Sequence, residues 1–188
     1  KICKKNNVLL ITDEIQTGLG RTGNLFAYEH ENIQPDIVII GKALSGGFYP
    51  VSAVLANTEL MDLFLQGEHG STFGGNPLAA AIAREALKVI VDEKLIENTS
   101  KQGEYFMEHL SEIPSRHVKE VRGVGLLIGI ELHPEAGGAR RFCEALQSER
   151  ILAKETHEHV IRFAPPLIID KTTIDWALPK IQKVLQMP

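Results

Sequence analysis

Two apolar runs limit what this chain can become. Val8-Leu9-Leu10-Ile11-Thr12 leads without a polar break into Asp13-Glu14, and Ile37-Val38-Ile39-Ile40 leads into Gly41-Lys42. Short continuous runs of this kind are read as strands covered on both faces. The connection between them is long and carries Gly18, Gly20 and Gly23, which suits an α/β sheet better than a hairpin meander. In open α/β sheets, ligands bind beyond the carboxyl ends of the strands. Asp13 and Lys42 both stand at such ends and are expected to converge on one crevice.

An acid at a strand end is most often there for solubility, so Asp13 needs a cationic partner before it means more. Lys42, between a strand and Ala43-Leu44, is expected to be partly desolvated, which lowers a lysine's pKa and makes it a nucleophile toward carbonyls. A lysine and a carboxylate in this arrangement suggest pyridoxal phosphate chemistry. The lysine bonds the cofactor's aldehyde, and the carboxylate keeps the pyridine nitrogen protonated so that the ring draws electrons. The cation sought for Asp13 is then the cofactor's pyridinium.

The remaining sequence organises around these strands. In "GEHGSTFGGNP" (67–77) a polar turn delivers a helix, with Asn76 as N-cap and Pro77 at the first helical position, running to about Glu93. Leu95, Thr99, Gly103, Phe106 and Leu110 keep helical spacing up to the break at Pro114. Strands are expected at Val118–Val121 and Leu126–Leu132 around a turn at Arg122-Gly123, and at Val160–Phe163. Further helices are expected from about Arg140 to Glu149 and from Lys171, the last kinked at Pro179. A domain boundary is placed near residue 92, giving domains 1–92 and 93–188.

Composition narrows the classes. At 188 residues, 44% hydrophobic and 23% charged, the chain is globular in character, and its net charge of −4 offers no footprint for nucleic acid or an anionic membrane. No apolar run approaches the ~20 residues of a membrane span, and none resembles a signal peptide. Cys3 and Cys143 lack metal-ligand spacing, and a reducing cytoplasmic setting is the expectation. Opening on Lys1 in a stretch like the end of a helix, the chain reads as lacking an upstream part.

"TDEIQTGLGRTG", "GKALSGGFYPVSAV", "GEHGSTFGGNPLAAA" and "VIRFAPPLII" together resemble the class III (omega) aminotransferases, of pyridoxal-phosphate fold type I. The resemblance spans essentially the whole chain and corresponds to the C-terminal half of a family member. It implies an α/β fold made of the C-terminal part of the large cofactor domain plus a small α+β domain. It further implies that Asp13 pairs with the ring nitrogen of pyridoxal 5′-phosphate, that Lys42 bonds its aldehyde and that Gln16 hydrogen-bonds its phenolic oxygen. Ile15 packs on one ring face. Ser71 and Thr72 bind the phosphate, Thr72 from the neighbouring subunit, so a homodimer or larger assembly with shared sites is implied. Arg162 holds a substrate carboxylate, a task suited to a planar guanidinium. The implied substrates are an amino acid and a 2-oxo acid, and the upstream half is needed to complete the site. Within the family, "GGFYPVSAV" and "IRFAPPLII" are most like the ornithine-using branch, with N-acetylornithine and 4-aminobutyrate as alternatives.

Without the resemblance, Gln16 would be a loop amide, Ile15 core, Ser71 and Thr72 turn or cap residues, and Arg162 a surface strand residue. Glu14 receives no chemical role. His157 and His159 form an HxH pair without a third ligand and read as polar surface, so no metal is assigned. His69 shapes the cofactor turn. The glycines at 18, 20 and 23 lack the context of a dinucleotide fingerprint. "VLLITDE" also looks like the magnesium-binding strand of a P-loop ATPase, but no GxxxxGK[ST] loop accompanies it. A third reading is a catalytically inactive fragment.

Overall fold

A computed structural model describes residues 1–188, which divide into two compact units. The first comprises Lys1–Gly20 and Asn24–Leu95, the second Arg21–Gly23 and Ile96–Pro188.

In the first unit, helix α1 (Ile2–Lys5) precedes a three-stranded sheet ordered β1 (Ile11–Asp13), β2 (Ile37–Ile40), β3 (Ala53–Ala56). β1 and β2 are parallel, with Asp13 opposite Ile39, and β3 returns antiparallel to β2. The long apolar run is therefore corrected: only Ile11–Asp13 pairs, and Val8, Leu9 and Ile11 are each more than half exposed. β1 has a neighbour on one edge only, so little of the run is held in a ladder. In β2, expected to be covered on both faces, Val38 and Ile40 are buried while Ile37 and Ile39 are half-buried. β3 was not foreseen, because "AVLA" is too short to declare itself apart from its pairing.

Helices α2 (Thr58–Met61) and α3 (Pro77–Asp92) complete this unit. Asn57 and Asn76 cap them, Asn76 Oδ1 accepting from Ala79 N–H at 2.9 Å. Pro77 occupies the first turn, where no N–H is missed.

The second unit is a four-stranded antiparallel sheet ordered β4 (Val118–Val124), β5 (Leu127–Leu132), β7 (Val160–Phe163), β6 (Lys154–Thr156), with helices α4 (Leu95–Ser111), α5 (Arg140–Ser148) and α6 (Lys171–Leu185). Alternate residues Ile128, Ile130, Leu132, Ile161 and Phe163 point into one core with Phe106, Leu110, Phe142, Leu146, Ile174 and Ile181. Each large side chain buried there contributes about 1.5–3 kcal/mol. The turn expected at Arg122-Gly123 lies instead at Gly125-Leu126, since β4 runs on and Gly123 pairs with Ile128. β6 was also missed. His157 and Glu158 form the tight link from β6 to β7, both in the left-handed region at φ +50° and +61°. Pro179 sits inside α6, which continues to Leu185. No helix is long and apolar enough to cross a membrane.

Candidate functional site

The parallel pairing of β1 with β2 puts their carboxyl ends at the same end of the sheet, with Asp13 opposite Ile39 and Gly41-Lys42 following directly after Ile40. Glu14 N–H donates to Ile39 O at 2.9 Å, one step beyond the ladder. Asp13 is exposed, and its Oδ1 accepts from Ile15 N–H at 3.0 Å. Ile15 is half-buried, with Cγ1 3.6 Å from where a Cβ on Gly41 would be. Gln16 follows, exposed on the same loop.

Lys42 opens a 3-10 turn, Lys42–Ser45, with φ +42°. Left-handed backbone costs a residue with a Cβ about 1–2 kcal/mol, and such strain collects at functional positions. The turn is held by buried Leu44 and closed by Gly46. Lys42 lines an open depression with Ser45, Pro50, Val51 and Ser52. One expectation is corrected here: Lys42 is exposed in this open depression, not partly buried as its flanking residues suggest.

Ser71 and Thr72 are exposed in the irregular turn before α3. Ser71 Oγ accepts from Gly74 N–H at 3.1 Å, which leaves its hydroxyl hydrogen to be donated elsewhere. Arg162 belongs to the second unit. It sits half-buried on β7 between Gly129 of β5 and Lys154 of β6, on the face turned away from the core. The first six candidates thus share one unit, and Asp13, Ile15 and Lys42 share one end of the sheet.

The donor set fits pyridoxal phosphate. Asp13 presents a carboxylate oxygen suited to a ring N–H, Lys42 an amine suited to an aldehyde, and the Ser71-Thr72 turn hydroxyls suited to phosphate.

Glu14 is the residue that sequence reasoning passed over. It is only 3% exposed, and its carboxylate accepts from Thr17 Oγ1 at 2.5 Å, Ala27 N–H at 3.1 Å and Tyr28 N–H at 3.0 Å. It thereby caps the 3-10 helix Ala27–Glu31 and closes the loop that begins at the site. The tight turn needs Gly18, since a Cβ there would lie 2.8 Å from Glu14 O. Burial, then the charges of Glu29 and Glu14, push the Tyr28 phenol above its ordinary pKa. An acid beside Asp13 with a threonine three residues on carries no local sign of burial, so nothing in the sequence marks it. Replacing Glu14 with alanine orphans two part-buried N–H groups and is expected to cost on the order of 2 kcal/mol in urea unfolding. A loss below about 1 kcal/mol would show that water replaces the carboxylate freely.

Residues 1–185 match the family model for class III aminotransferases. An ornithine aminotransferase of Geobacillus sp. (strain WCH70) is 55% identical over 183 residues, covering 97% of this chain and 45% of the relative. Among solved structures, an ornithine aminotransferase from Plasmodium yoelii superposes with a TM-score of 0.94 at 48% identity, covering 98% of this chain and 49% of that one. An acetylornithine aminotransferase from Elizabethkingia anophelis gives 0.92 at 49% identity, with the same coverage. The chain spans about half the length of the curated relatives it matches.

Proposed function

The chain belongs to the class III aminotransferase family, and from that premise we propose that it carries the reactive residues of an ornithine aminotransferase. The reaction is transfer of the terminal amino group of ornithine to a 2-oxo acid, giving glutamate semialdehyde and a new amino acid. The observation that carries this reading is the shared carboxyl end of the parallel strands β1 and β2, where Asp13 closes one strand and the Lys42 turn, at φ +42°, follows the other. The names of the curated relatives favour ornithine over N-acetylornithine or 4-aminobutyrate.

Bound pyridoxal phosphate would supply an electron-withdrawing ring that stabilises negative charge on the carbon bearing the amino group. Asp13 holds the proton on the ring nitrogen through the oxygen that Ile15 leaves unused. Lys42 would hold the cofactor at its aldehyde, and its free amine would take the proton from the amino-bearing carbon of the substrate. Gln16 donates to the phenolic oxygen, and Ile15 packs on one ring face. Ser71 and Thr72 hold phosphate, Thr72 that of a second copy in a homodimer. Arg162 takes a substrate carboxylate through paired N–H bonds. Cys3 and Cys143 are unbridged, which suits the cytoplasmic setting proposed here.

Exposed Lys42 and the bare Val8–Leu9 run support a further part of the reading, that turnover needs the N-terminal segment the relatives carry in addition. The 188-residue chain is assayed with pyridoxal phosphate, 2-oxoglutarate and each of the three amino donors, alone and with that segment added. Activity is expected only with the segment, and highest with ornithine. Preference for another donor would move the chain to that branch. Robust turnover by the chain alone would overturn the need for a second half.

A further inference from the structure

β5 and β7 pair from Glu131↔Val160 to Ile128↔Phe163, and Leu132 N–H donates to His159 O at 2.8 Å just beyond. Antiparallel ladders alternate bonded with non-bonded pairs. In this register the next bonded rung after Ile128↔Phe163 would set Leu126 opposite Pro165. It cannot form in the usual way, because Pro165 has no N–H for Leu126 O. Leu126 is completely buried, so both of its backbone groups need partners.

Arg21 supplies them. Leu126 N–H donates to Arg21 O at 3.1 Å, while Arg21 Nη1 donates to Leu126 O at 3.1 Å and to Pro165 O at 2.6 Å. Backbone and side chain of one distant residue thus stand in for the missing rung. Gly125 permits the approach: its φ is +56°, and a Cβ there would lie 2.5 Å from the carbonyl carbon of Thr22. Desolvation lowers the Arg21 pKa from its ordinary value, and no carboxylate forms a salt bridge with it. Arg21 is half-buried, and even partial burial of a guanidinium against carbonyls carries a desolvation cost.

Arg162 lies on β7 three positions before Pro165. Paired contacts to a carboxylate demand accurate placement, and an error of ~1 Å can cost ~100-fold. We propose that Arg21 is the positioning residue for Arg162: by replacing the rung Pro165 cannot make, it fixes the end of β7 and with it the guanidinium assigned to the substrate carboxylate. This rests on the proposed function and deepens it.

The test uses the chain completed by the N-terminal segment of a relative, with KM, kcat, cofactor affinity and melting temperature measured together with inhibition by glutarate, an unreactive dicarboxylate. Arg21→Met is expected to raise KM for 2-oxoglutarate and the glutarate inhibition constant about tenfold, leaving cofactor affinity within about twofold. Arg21→Lys should fall between. Pro165→Ala restores the N–H, so in the Arg21→Met background it should recover much of the lost glutarate affinity, an effect that general destabilisation would not produce. Unchanged KM in a folded Arg21→Met or Arg21→Lys protein, or absence of rescue by Pro165→Ala, overturns the inference. Arg162→Lys separates the two levels: if it leaves glutarate affinity intact, the carboxylate role itself fails. If it weakens glutarate while the Arg21 variants do not, only the positioning role falls.

Discussion

Replacing Lys42 with alanine in the completed enzyme is expected to stop amino transfer while leaving the fold nearly unchanged. The side chain is exposed, so its loss should alter stability by no more than about 0.5 kcal/mol. Turnover should fall by at least the ~10²–10⁴-fold that a positioned proton-transfer group supplies. Borohydride reduction of the cofactor-loaded wild-type enzyme and peptide mapping should put the pyridoxyl mass on the peptide containing Lys42. Label on a different lysine would remove the assignment. The backbone offers a second handle. At φ +42° a Cβ is strained, so Lys42→Gly should be more stable than Lys42→Ala by about 0.5–1 kcal/mol, yet equally inactive. If alanine is as stable as glycine there, the turn stores no strain.

Asp13→Asn should separate charge from shape. Asn retains the oxygen that accepts from Ile15 N–H, so the loop from β1 should hold its form and the melting temperature should stay close to wild type. What disappears is the negative charge. A charge-assisted contact of this kind is worth roughly 1.5–3 kcal/mol, or about 10- to 150-fold in rate. Near-normal half-reaction rates in a fully loaded Asn variant would refute the role. A large drop in melting temperature without cofactor would assign Asp13 to the fold instead.

Two residues of this chain to which sequence reasoning gave no role, Glu14 and Arg21, are tied by the three-dimensional structure to backbone groups remote in sequence. Glu14 closes the loop beginning at Asp13, and Arg21 finishes the sheet end beside Arg162. Asp13 and Lys42, by contrast, were visible as polar residues closing apolar runs, a position that a strand confers locally.

What the amino-acid sequence determined by itself was local. Asn76 and Pro77 start α3 because an amide oxygen and a fixed φ act within one turn, and Pro114 bounds α4 because it cannot continue a helix. The run Ile37–Ile40 formed the strand it announced, and the alternation in Leu127–Leu132 delivered one face to the core. Tertiary structure alone decided which short segments pair, as with β3 and β6, and how little of Val8–Ile11 is held. It alone decided that Glu14 is buried, that Lys42 is bare and that Arg21 serves a rung opposite Pro165. Capping and periodicity are settled by neighbours a few residues apart. Burial of a charge and repair of a ladder depend on groups brought together from remote parts of the chain, such as Arg21, Leu126 and Pro165, and no window of sequence contains all three.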